Sequence, residues 1–309
     1  MKFSVSLPID HLAPAGEFQT LEAVREIAAA LDKSRAYACY LTDHPAPSAH
    51  WLHNTAGGHD ALDPFAGLAF IAALTDRIRL LTNIVVLPYR SPFITAKSAA
   101  TLQVLSGGRF ILGVAAGYQK VEFDALGIPH EERGARSDEA IEVIRLAWAG
   151  GPVVKQGRWY NATENESRPV PSPAPEIWVG GGSDKAAERA ARWGDAWVPV
   201  YFPAIESNRV ISGANAGTLD ELSAKMARVR ELRDALGRTG PFEFAASTPL
   251  LPKVIDRTEV AQYRDAVAGM ERLGLTCLNL SLPCPSRADY LDNLAWLSEE
   301  IIPHFPDQG

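Results

Sequence analysis

The sequence predicts a closed (β/α)8 barrel, a TIM-like fold with insertions, formed by residues 1–309 as one domain. Eight segments with strand-like patterns are each followed by a segment with helical periodicity. The length of 309 residues suits one such barrel. Within residues 63–118, two apolar strands flank one helix-length segment, which implies parallel pairing in a covered sheet. A doubly wound Rossmann sheet is the structural alternative, but neither GVAAGY nor VGGGSD has its glycine spacing.

The first half of the barrel follows from apolar strands and well-marked helix ends. The predicted strands are 3–7, 39–42, 79–87 and 110–115. The helices that follow them are 21–31, 64–74, 92–105 and 137–148. Pro64 and Pro92 stand in the first turn of their helices, and Gly107-Gly108 ends the third, which are the positions that proline and glycine prefer.

The second half repeats this alternation with weaker patterns. The predicted strands are 176–180, 196–200, 242–247 and 276–280, and the helices are 184–193, 219–236, 259–273 and 287–302. Three segments rich in Pro, Gly, Ser and Asn interrupt the series, namely 45–62, 150–175 and 201–217. The first and third follow strands two and six, on the rim where barrel enzymes carry their specificity. The second lies at the opposite end, where 153–160 has a pattern compatible with a hairpin.

Composition narrows the class of protein. Hydrophobic residues make up 47% and charged residues 22%, as in ordinary globular enzymes. The net charge of -7 argues against non-specific nucleic-acid binding. The start of the sequence has no leader pattern and no apolar run is long enough to span a bilayer, so we expect a cytoplasmic protein with no membrane partner. Cys39, Cys277 and Cys284 lack metal-type spacing.

His44 is the most informative candidate for chemistry. In a barrel the active site lies at the carboxyl ends of the strands, and His44 follows the second strand directly after Asp43. A histidine there can exchange protons near neutral pH or donate to a bound ring. The alternative is that Asp43 caps the loop and His44 is an ordinary surface histidine. His50, His53 and His59 are close in sequence, but no carboxylate or cysteine completes a ligand pattern, so we expect no metal.

Two glycine-containing turns are candidate ligand-binding sites. Gly180 to Ser183 precede a helix, so backbone N–H groups and the Ser183 hydroxyl are placed for a phosphate. Gly117-Tyr118 permits close approach of a flat ligand, with Tyr118 stacking on it or hydrogen-bonding to it. For the first turn, tight strand-to-helix geometry explains the glycines equally well. For the second, a core-packing tyrosine is the alternative.

Four blocks together resemble the luciferase-like monooxygenase superfamily, and within it the oxidoreductases that use the deazaflavin F420. They are TDH at 42–44, residues 63–118, EERGARSDEAIEVIRLAW at 131–148 and PEIWVGGGSDKAAERAARWGDAW at 175–197. The most specific of them is LPYRSPFITAKSAATLQVLSGGRFILGVAAGY, within residues 63–118. The resemblance covers residues 3–200 well and the last third loosely. It implies a bacterial luciferase-like barrel with insertions, usually a homodimer.

The resemblance also implies roles for particular residues. His44 becomes the catalytic candidate, approaching the deazaflavin ring as proton donor. A non-prolyl cis peptide is implied at Asn83-Ile84, behind the ring. Further residues are implied to line the cofactor, namely Ala116, Gly117 and Tyr118 beside the ring and Gly180, Gly181 and Ser183 near the ribityl-phosphate tail. His11, Tyr118 and Tyr201 are implied to face the substrate. The chain departs from the family at Tyr118, where some F420 enzymes have a catalytic glutamate and many relatives have tryptophan.

The implied reaction is hydride transfer between F420 and an unidentified small organic substrate. One alternative on the same barrel is an FMN-dependent monooxygenase supplied by a partner flavin reductase. Another is a protein that binds flavin without turnover. An aldolase-type barrel is disfavoured, because no lysine falls within a predicted strand and only Lys120 comes soon after one.

Overall fold

The computed structural model describes residues 1–10, 17–54, 60–200, 218–248, 250–252 and 254–307, without the side chains of Asp10 and Asn54. In this part of the chain, eight parallel strands close into a barrel surrounded by helices, which confirms the predicted fold. The barrel strands are β1 (Lys2–Ser6), β2 (Ala38–Leu41), β3 (Arg79–Thr82) with its short continuation β4 (Val85–Val86), β5 (Phe110–Ala115), β8 (Glu176–Gly180), β9 (Ala196–Val198), β10 (Glu243–Ser247) and β11 (Cys277–Leu280). Pairing of β1 with β11 closes the ring.

The helices follow the strands as predicted. They are α1 (Leu21–Lys33), α3 (Pro64–Ala72), α4 (Pro92–Leu105), α6 (Arg133–Ala149), α7 (Asp184–Trp193), α8 (Leu219–Ala235), α9 (Val260–Leu273) and α10 (Arg287–Trp296). The last continues as a π-helical turn over Leu297–Ile301, so the single helix predicted at 287–302 changes its winding there. No helix in the described ranges has both the length and the apolar character needed to cross a membrane.

Two short helices lie where the sequence predicted no helix. The rim loop 45–62 includes the short helix α2 (Ala49–Asn54), and a second short helix, α5 (Lys120–Ala125), follows β5. The predicted hairpin is present as the antiparallel pair β6 (Val153–Gln156) and β7 (Asn161–Asn165). Both short helices lie after barrel strands, on the side where the candidate site forms.

The third strand is interrupted where a continuous strand was predicted. The peptide bond between Asn83 and Ile84 is cis, as the resemblance implied, and it separates β3 from β4. Thr82 spans the interruption: its hydroxyl donates to the Gly113 carbonyl oxygen at 2.8 Å and accepts from the Gly113 amide at 2.9 Å. A Cβ on Gly113 would lie 1.8 Å from the Thr82 carbonyl oxygen, so only glycine fits at this point of β5.

The apolar core has two parts. Side chains on the outside of the barrel pack against the helices and form the larger part, which includes Phe3, Ile141 and Trp197. Inside the barrel, Trp178 and Tyr40 belong to a smaller cluster of fully or nearly fully buried residues. A filled interior leaves the carboxyl ends of the strands as the place for a ligand.

Candidate active site

His44 lies just beyond β2 in a network of buried polar side chains. Its Nδ1 is 3.1 Å from Oε2 of Glu122, whose side chain is 0% exposed. The Tyr89 hydroxyl donates to the same carboxylate oxygen at 3.0 Å, and the Ala46 amide donates to Oε1 at 3.2 Å. Glu122 therefore joins the loops that follow β2, β4 and β5.

Two aromatic side chains hold the His44 ring. The Trp51 ring, on α2, has its centroid 4.7 Å from that of His44. The Tyr118 ring meets His44 edge-on at 6.0 Å between centroids. The side chain of His44 retains 12% exposure, so the imidazole is largely enclosed but not sealed from solvent.

The Tyr118 hydroxyl is half-buried and hydrogen-bonded. Gln119 Nε2 donates to it at 3.5 Å, and Trp51 contributes a second side-chain hydrogen bond. Burial raises the pKa of Tyr118 to about 12, although these hydrogen bonds act in the opposite direction. Tyr118 is therefore protonated at neutral pH and can donate a hydrogen bond.

Asp43 organises the loop that carries His44, as its capping interpretation anticipated. Its carboxylate accepts from the Val86 amide and from Arg90 Nη2, both at 3.0 Å. Burial raises the pKa of Asp43 despite the opposing charge of Arg90. The cap does not make His44 an ordinary surface residue, because Glu122 and Trp51 both hold its ring.

Asn83 and Ile84 lie at the same end of the barrel, half-buried. Asn83 Nδ2 donates to Ser247 Oγ at 3.3 Å, and Asn279 Nδ2 donates to Asn83 Oδ1 at 3.4 Å, so Asn83 reaches across to β10 and β11. A Cβ on Gly180 would come within 3.1 Å of Ile84 Cγ2. Gly180 thus leaves room for the Ile84 side chain.

The other glycines have packing roles that the sequence did not reveal. Gly117 follows the half-buried Ala116 and has φ +83°, and a Cβ there would lie 2.6 Å from Val86 Cγ1. Gly181 has φ +115°, and its amide donates to the Val198 carbonyl oxygen at 3.1 Å, so this amide is already used by β9. The candidate phosphate donors that remain are the Ser183 hydroxyl and the first amides of α7. Ser183 caps α7 by accepting from the Ala186 amide at 3.2 Å.

Sequence reasoning missed several residues of this end of the barrel, namely Trp51, Tyr89, Gln119, Glu122 and Lys225. Lys225 on α8 donates from Nζ to the Gly182 carbonyl oxygen at 2.6 Å, which places a cation beside the α7 turn. The available signal for Glu122 was an acidic residue in the first turn of a short helix after a barrel strand. Trp51 and Lys225 had no comparable signal, because they come from a rim segment and a distant helix.

Some predicted positions lie elsewhere or outside the described residues. His11, Tyr201 and His59 are outside the described ranges. His50 and His53 lie exposed on α2. Among the described residues, no three His, Cys, Asp or Glu side chains group as metal ligands would.

A cavity of about 470 Å³ lies at the other, amino-terminal end of the barrel. Lys2 and Arg79 line it, but Lys2 pairs with Glu243 at 2.7 Å and Arg79 with Glu176 at 2.8 Å. Paired charges at this end of a barrel are typical of stabilising interactions. The polar network around His44 is therefore the candidate active site.

Comparison with known proteins supports the fold. Residues 1–272 match the family model described as luciferase-like monooxygenase. The uncharacterized protein Rv0940c of Mycobacterium tuberculosis (strain ATCC 25618 / H37Rv) is 33% identical over 60% of this chain, and the match spans 59% of that relative's length. The F420-dependent glucose-6-phosphate dehydrogenase of Nocardia farcinica (strain IFM 10152) is 31% identical over 70% of this chain and 67% of its own. The FMNH(2)-dependent dimethylsulfone monooxygenase of Pseudomonas putida is 33% identical over 51% and 42%.

Solved structures with the same fold cover nearly the whole chain. The monooxygenase RslO1 from Streptomyces bottropensis superposes with a TM-score of 0.79 at 21% identity, covering 99% of this chain and 100% of that one. An F420-dependent secondary alcohol dehydrogenase in complex with an F420-acetone adduct has a TM-score of 0.75 at 16% identity, with 99% of both chains covered. At these identities the likeness concerns the fold alone.

Proposed function

Because the chain belongs to the luciferase-like monooxygenase family, we propose that it is an F420-dependent oxidoreductase. Its reaction is hydride transfer between F420 and a small organic substrate. Two of the relatives described above are named as enzymes that depend on F420 or on FMNH2. The observation that carries the proposal is His44, held at the carboxyl end of β2 by Glu122 and Trp51 and still 12% exposed. The relative from Nocardia farcinica, whose name states F420 dependence, covers more of the chain than the FMNH2-dependent one.

The described residues fit a ligand with a flat ring and an anionic tail. Half-buried side chains and turns are available for the ring, namely Asn83, Ile84, Ala116, Gly117 and Tyr118. The tail would lie at Gly180, Gly181 and Ser183. There the donors available to a phosphate are the α7 amino terminus, the Ser183 hydroxyl and the Lys225 ammonium, which also pairs with Asp184 at 3.4 Å.

When bound, F420 supplies a carbon, C5, that accepts or gives a hydride. The chain has to orient the substrate and move one proton. His44 is the proton-exchanging residue in this proposal, because its imidazole has the buried Glu122 carboxylate as a partner and retains 12% exposure. Tyr118 donates a hydrogen bond from its hydroxyl to the substrate.

An FMN-dependent monooxygenase is the second candidate. The Pseudomonas putida relative favours it, and Tyr118 stands where a catalytic glutamate of some F420 enzymes would be. Such an enzyme would need a partner reductase to supply reduced flavin. The barrel, His44 and the α7 turn serve either cofactor, so only binding and turnover separate the two.

Titration of the purified protein with F420 and with FMN tests the proposal. We expect micromolar affinity for F420 and at least tenfold weaker binding of FMN, followed by a substrate-dependent change in F420 absorbance. His44→Ala should retain cofactor binding within a few-fold and lose roughly 100-fold or more in turnover. Micromolar binding of FMN without binding of F420 would overturn the proposal. Tight cofactor binding with no turnover across a broad panel of alcohols, ketones and enones would favour a flavin-binding protein instead.

We also propose that the protein is a homodimer. Helix α3 has the sequence PFAGLAFIA, with no charged side chain. Phe70 on α3 is 45% exposed, and Ile94 and Leu105 on the neighbouring α4 are 61% and 72% exposed. Apolar side chains so exposed on adjacent helices are typical of a protein interface.

A further inference from the structure

Glu122 is a buried carboxylate that the sequence did not single out. Its side chain is fully enclosed, yet its two oxygens accept hydrogen bonds from the Ala46 amide and the Tyr89 hydroxyl, and Oε2 lies 3.1 Å from His44 Nδ1. Burying a carboxylate is costly unless such partners are present. Burial, and then the neighbouring Glu122 carboxylate, raise the pKa of Tyr89, which keeps this hydroxyl protonated as a donor.

The contact with Glu122 decides which nitrogen of neutral His44 carries the proton. An ionised carboxylate only accepts hydrogen bonds, so at 3.1 Å the Nδ1 atom must be the protonated one. Gln119 Nε2 stands 3.2 Å from the same Nδ1. Because a protonated Nδ1 cannot also accept, the Gln119 amide keeps its hydrogen bond to the Tyr118 hydroxyl and only contacts the ring. Nε2 is then the acceptor.

We propose that Glu122 is a positioning residue that holds neutral His44 as the Nδ1–H tautomer and so makes Nε2 the atom that exchanges a proton with the substrate. Trp51 and Tyr118 fix the plane of the ring, and Glu122 fixes its proton. In the exchange, Nε2 gains the proton that a substrate O–H loses, or gives it back in the reverse direction. The other ring proton stays on Nδ1 and keeps its hydrogen bond to Glu122. The proton exchange rests on the function proposed above, whereas the tautomer is a property of the chain alone.

The tautomer can be measured without cofactor or substrate. In protein labelled with ring-15N histidine, the His44 signals are assigned by their loss in His44→Ala. At a pH where His44 is neutral, wild-type protein should show a protonated Nδ1 and an unprotonated Nε2. In Glu122→Gln the amide can either accept or donate, so the share of the Nε2–H form should rise severalfold. A wild-type His44 with its proton on Nε2 would overturn the proposal even if no variant folded.

A matched control comes from the same short helix. Asp124 on α5 is 58% exposed and pairs with Lys120 at 2.7 Å, away from His44. Asp124→Asn should leave the tautomer and the turnover unchanged. If Asp124→Asn shifted the tautomer as much as Glu122→Gln does, the effect would be general to α5 and the proposal would fail.

Kinetics of the cofactor-loaded enzyme give the second readout. Glu122→Gln should lower kcat roughly 10–100-fold with KM within about threefold, as for residues that orient a catalytic histidine. Glu122→Asp, which keeps the carboxylate, should recover part of this loss. An unchanged kcat in a folded Glu122→Gln protein with a shifted tautomer would overturn the role in proton exchange. Failure of F420 to bind would overturn the proposed function and leave the NMR result valid.

Discussion

Tyr118 occupies the position where the chain departs from its relatives with a catalytic acid. A pKa of about 12 keeps its hydroxyl protonated, so it cannot replace a glutamate that must ionise. Its ring contacts His44 and its hydroxyl bonds with Gln119 and Trp51. These contacts leave Tyr118 with a protonated hydroxyl that can donate one hydrogen bond.

Tyr118→Phe should therefore weaken substrate binding more than chemistry. Loss of one hydrogen bond costs about 0.5–1.5 kcal/mol, so KM should rise about 2–12-fold while kcat stays within about twofold. Steady-state kinetics measures both, with Tyr118→Ala for comparison, in which the ring contact is lost as well. A fall in kcat of more than 100-fold in Tyr118→Phe would show that the hydroxyl takes part in the reaction.

At the residue scale the sequence predicted positions that follow directly from a strand end, such as His44. It did not predict Glu122, because the contact joins residues 78 positions apart through two loops whose paths the pattern does not define. The sequence predicted that Gly117 allows close approach of a ligand. In the structure, a side chain at this position would collide with Val86.

At the element scale, the junction of β3, β4 and β5 depends on Gly113. Thr82 replaces the missing strand pairing with two hydrogen bonds to this residue, and no space exists for a Cβ. The registers on either side, Leu81 with Ile111 and Val85 with Val114, require the two strands to remain close here.

Gly113→Ala should destabilise the protein by about 3 kcal/mol, at the upper end of overpacking, because the added methyl meets backbone. Urea unfolding followed by circular dichroism measures the change. Gly240→Ala is the control, since no atom lies within 4 Å of its Cβ position, and it should stay within about 0.5 kcal/mol. Equal midpoints for the two variants would contradict the packing argument.

Asp32, at the end of α1, links that helix to the start of β3. Its carboxylate accepts from the amides of Asp76, Arg77 and Ile78 at 3.0, 2.7 and 2.9 Å. Burial acts to raise the pKa of Asp32, but the three backbone hydrogen bonds prevail and hold it below its usual value.

Asp32→Asn should cost about 1–2 kcal/mol at pH 7, because the charge that these amides stabilise is lost. A depressed folded-state pKa gives stability above the unfolded value near 4, and this stability is lost as the pH falls through the lowered pKa. The difference in unfolding free energy between wild type and variant should thus shrink below pH 4. A difference that stays constant from pH 2 to 7 would exclude this origin.

Most elements could be predicted because their signals are local. Pro64, Pro92 and Gly107-Gly108 mark helix ends directly, and apolar runs mark the strands. The break at Asn83-Ile84 was invisible to periodicity, because 79–87 reads as one apolar strand, and only the resemblance indicated it. Helix α2 was missed because its six residues are too few for a helical period to be recognised.

At the scale of the whole molecule, the proposed homodimer makes a direct prediction. The wild-type protein should sediment with twice the chain mass of 33.4 kDa. Phe70→Glu combined with Ile94→Glu places charges on the exposed apolar faces of α3 and α4 and should shift the protein to monomer, because buried unpaired charges are costly. A monomeric wild type, or a double variant that stays dimeric, would contradict the use of this surface.

The pairing of β1 with β11, which closes the barrel, also limits how early the barrel can form during synthesis. Strand β1 is the first to be synthesised, yet it lies against β11, and 273 positions separate Ser4 from its contact Cys277. At about 5–20 residues per second, β1 waits roughly 14–55 s on the ribosome for that partner. Until then one edge of the nascent sheet is open to pairing with other chains. Chaperones that cover such edges should therefore raise the yield of this protein more than variants that only stabilise the finished fold.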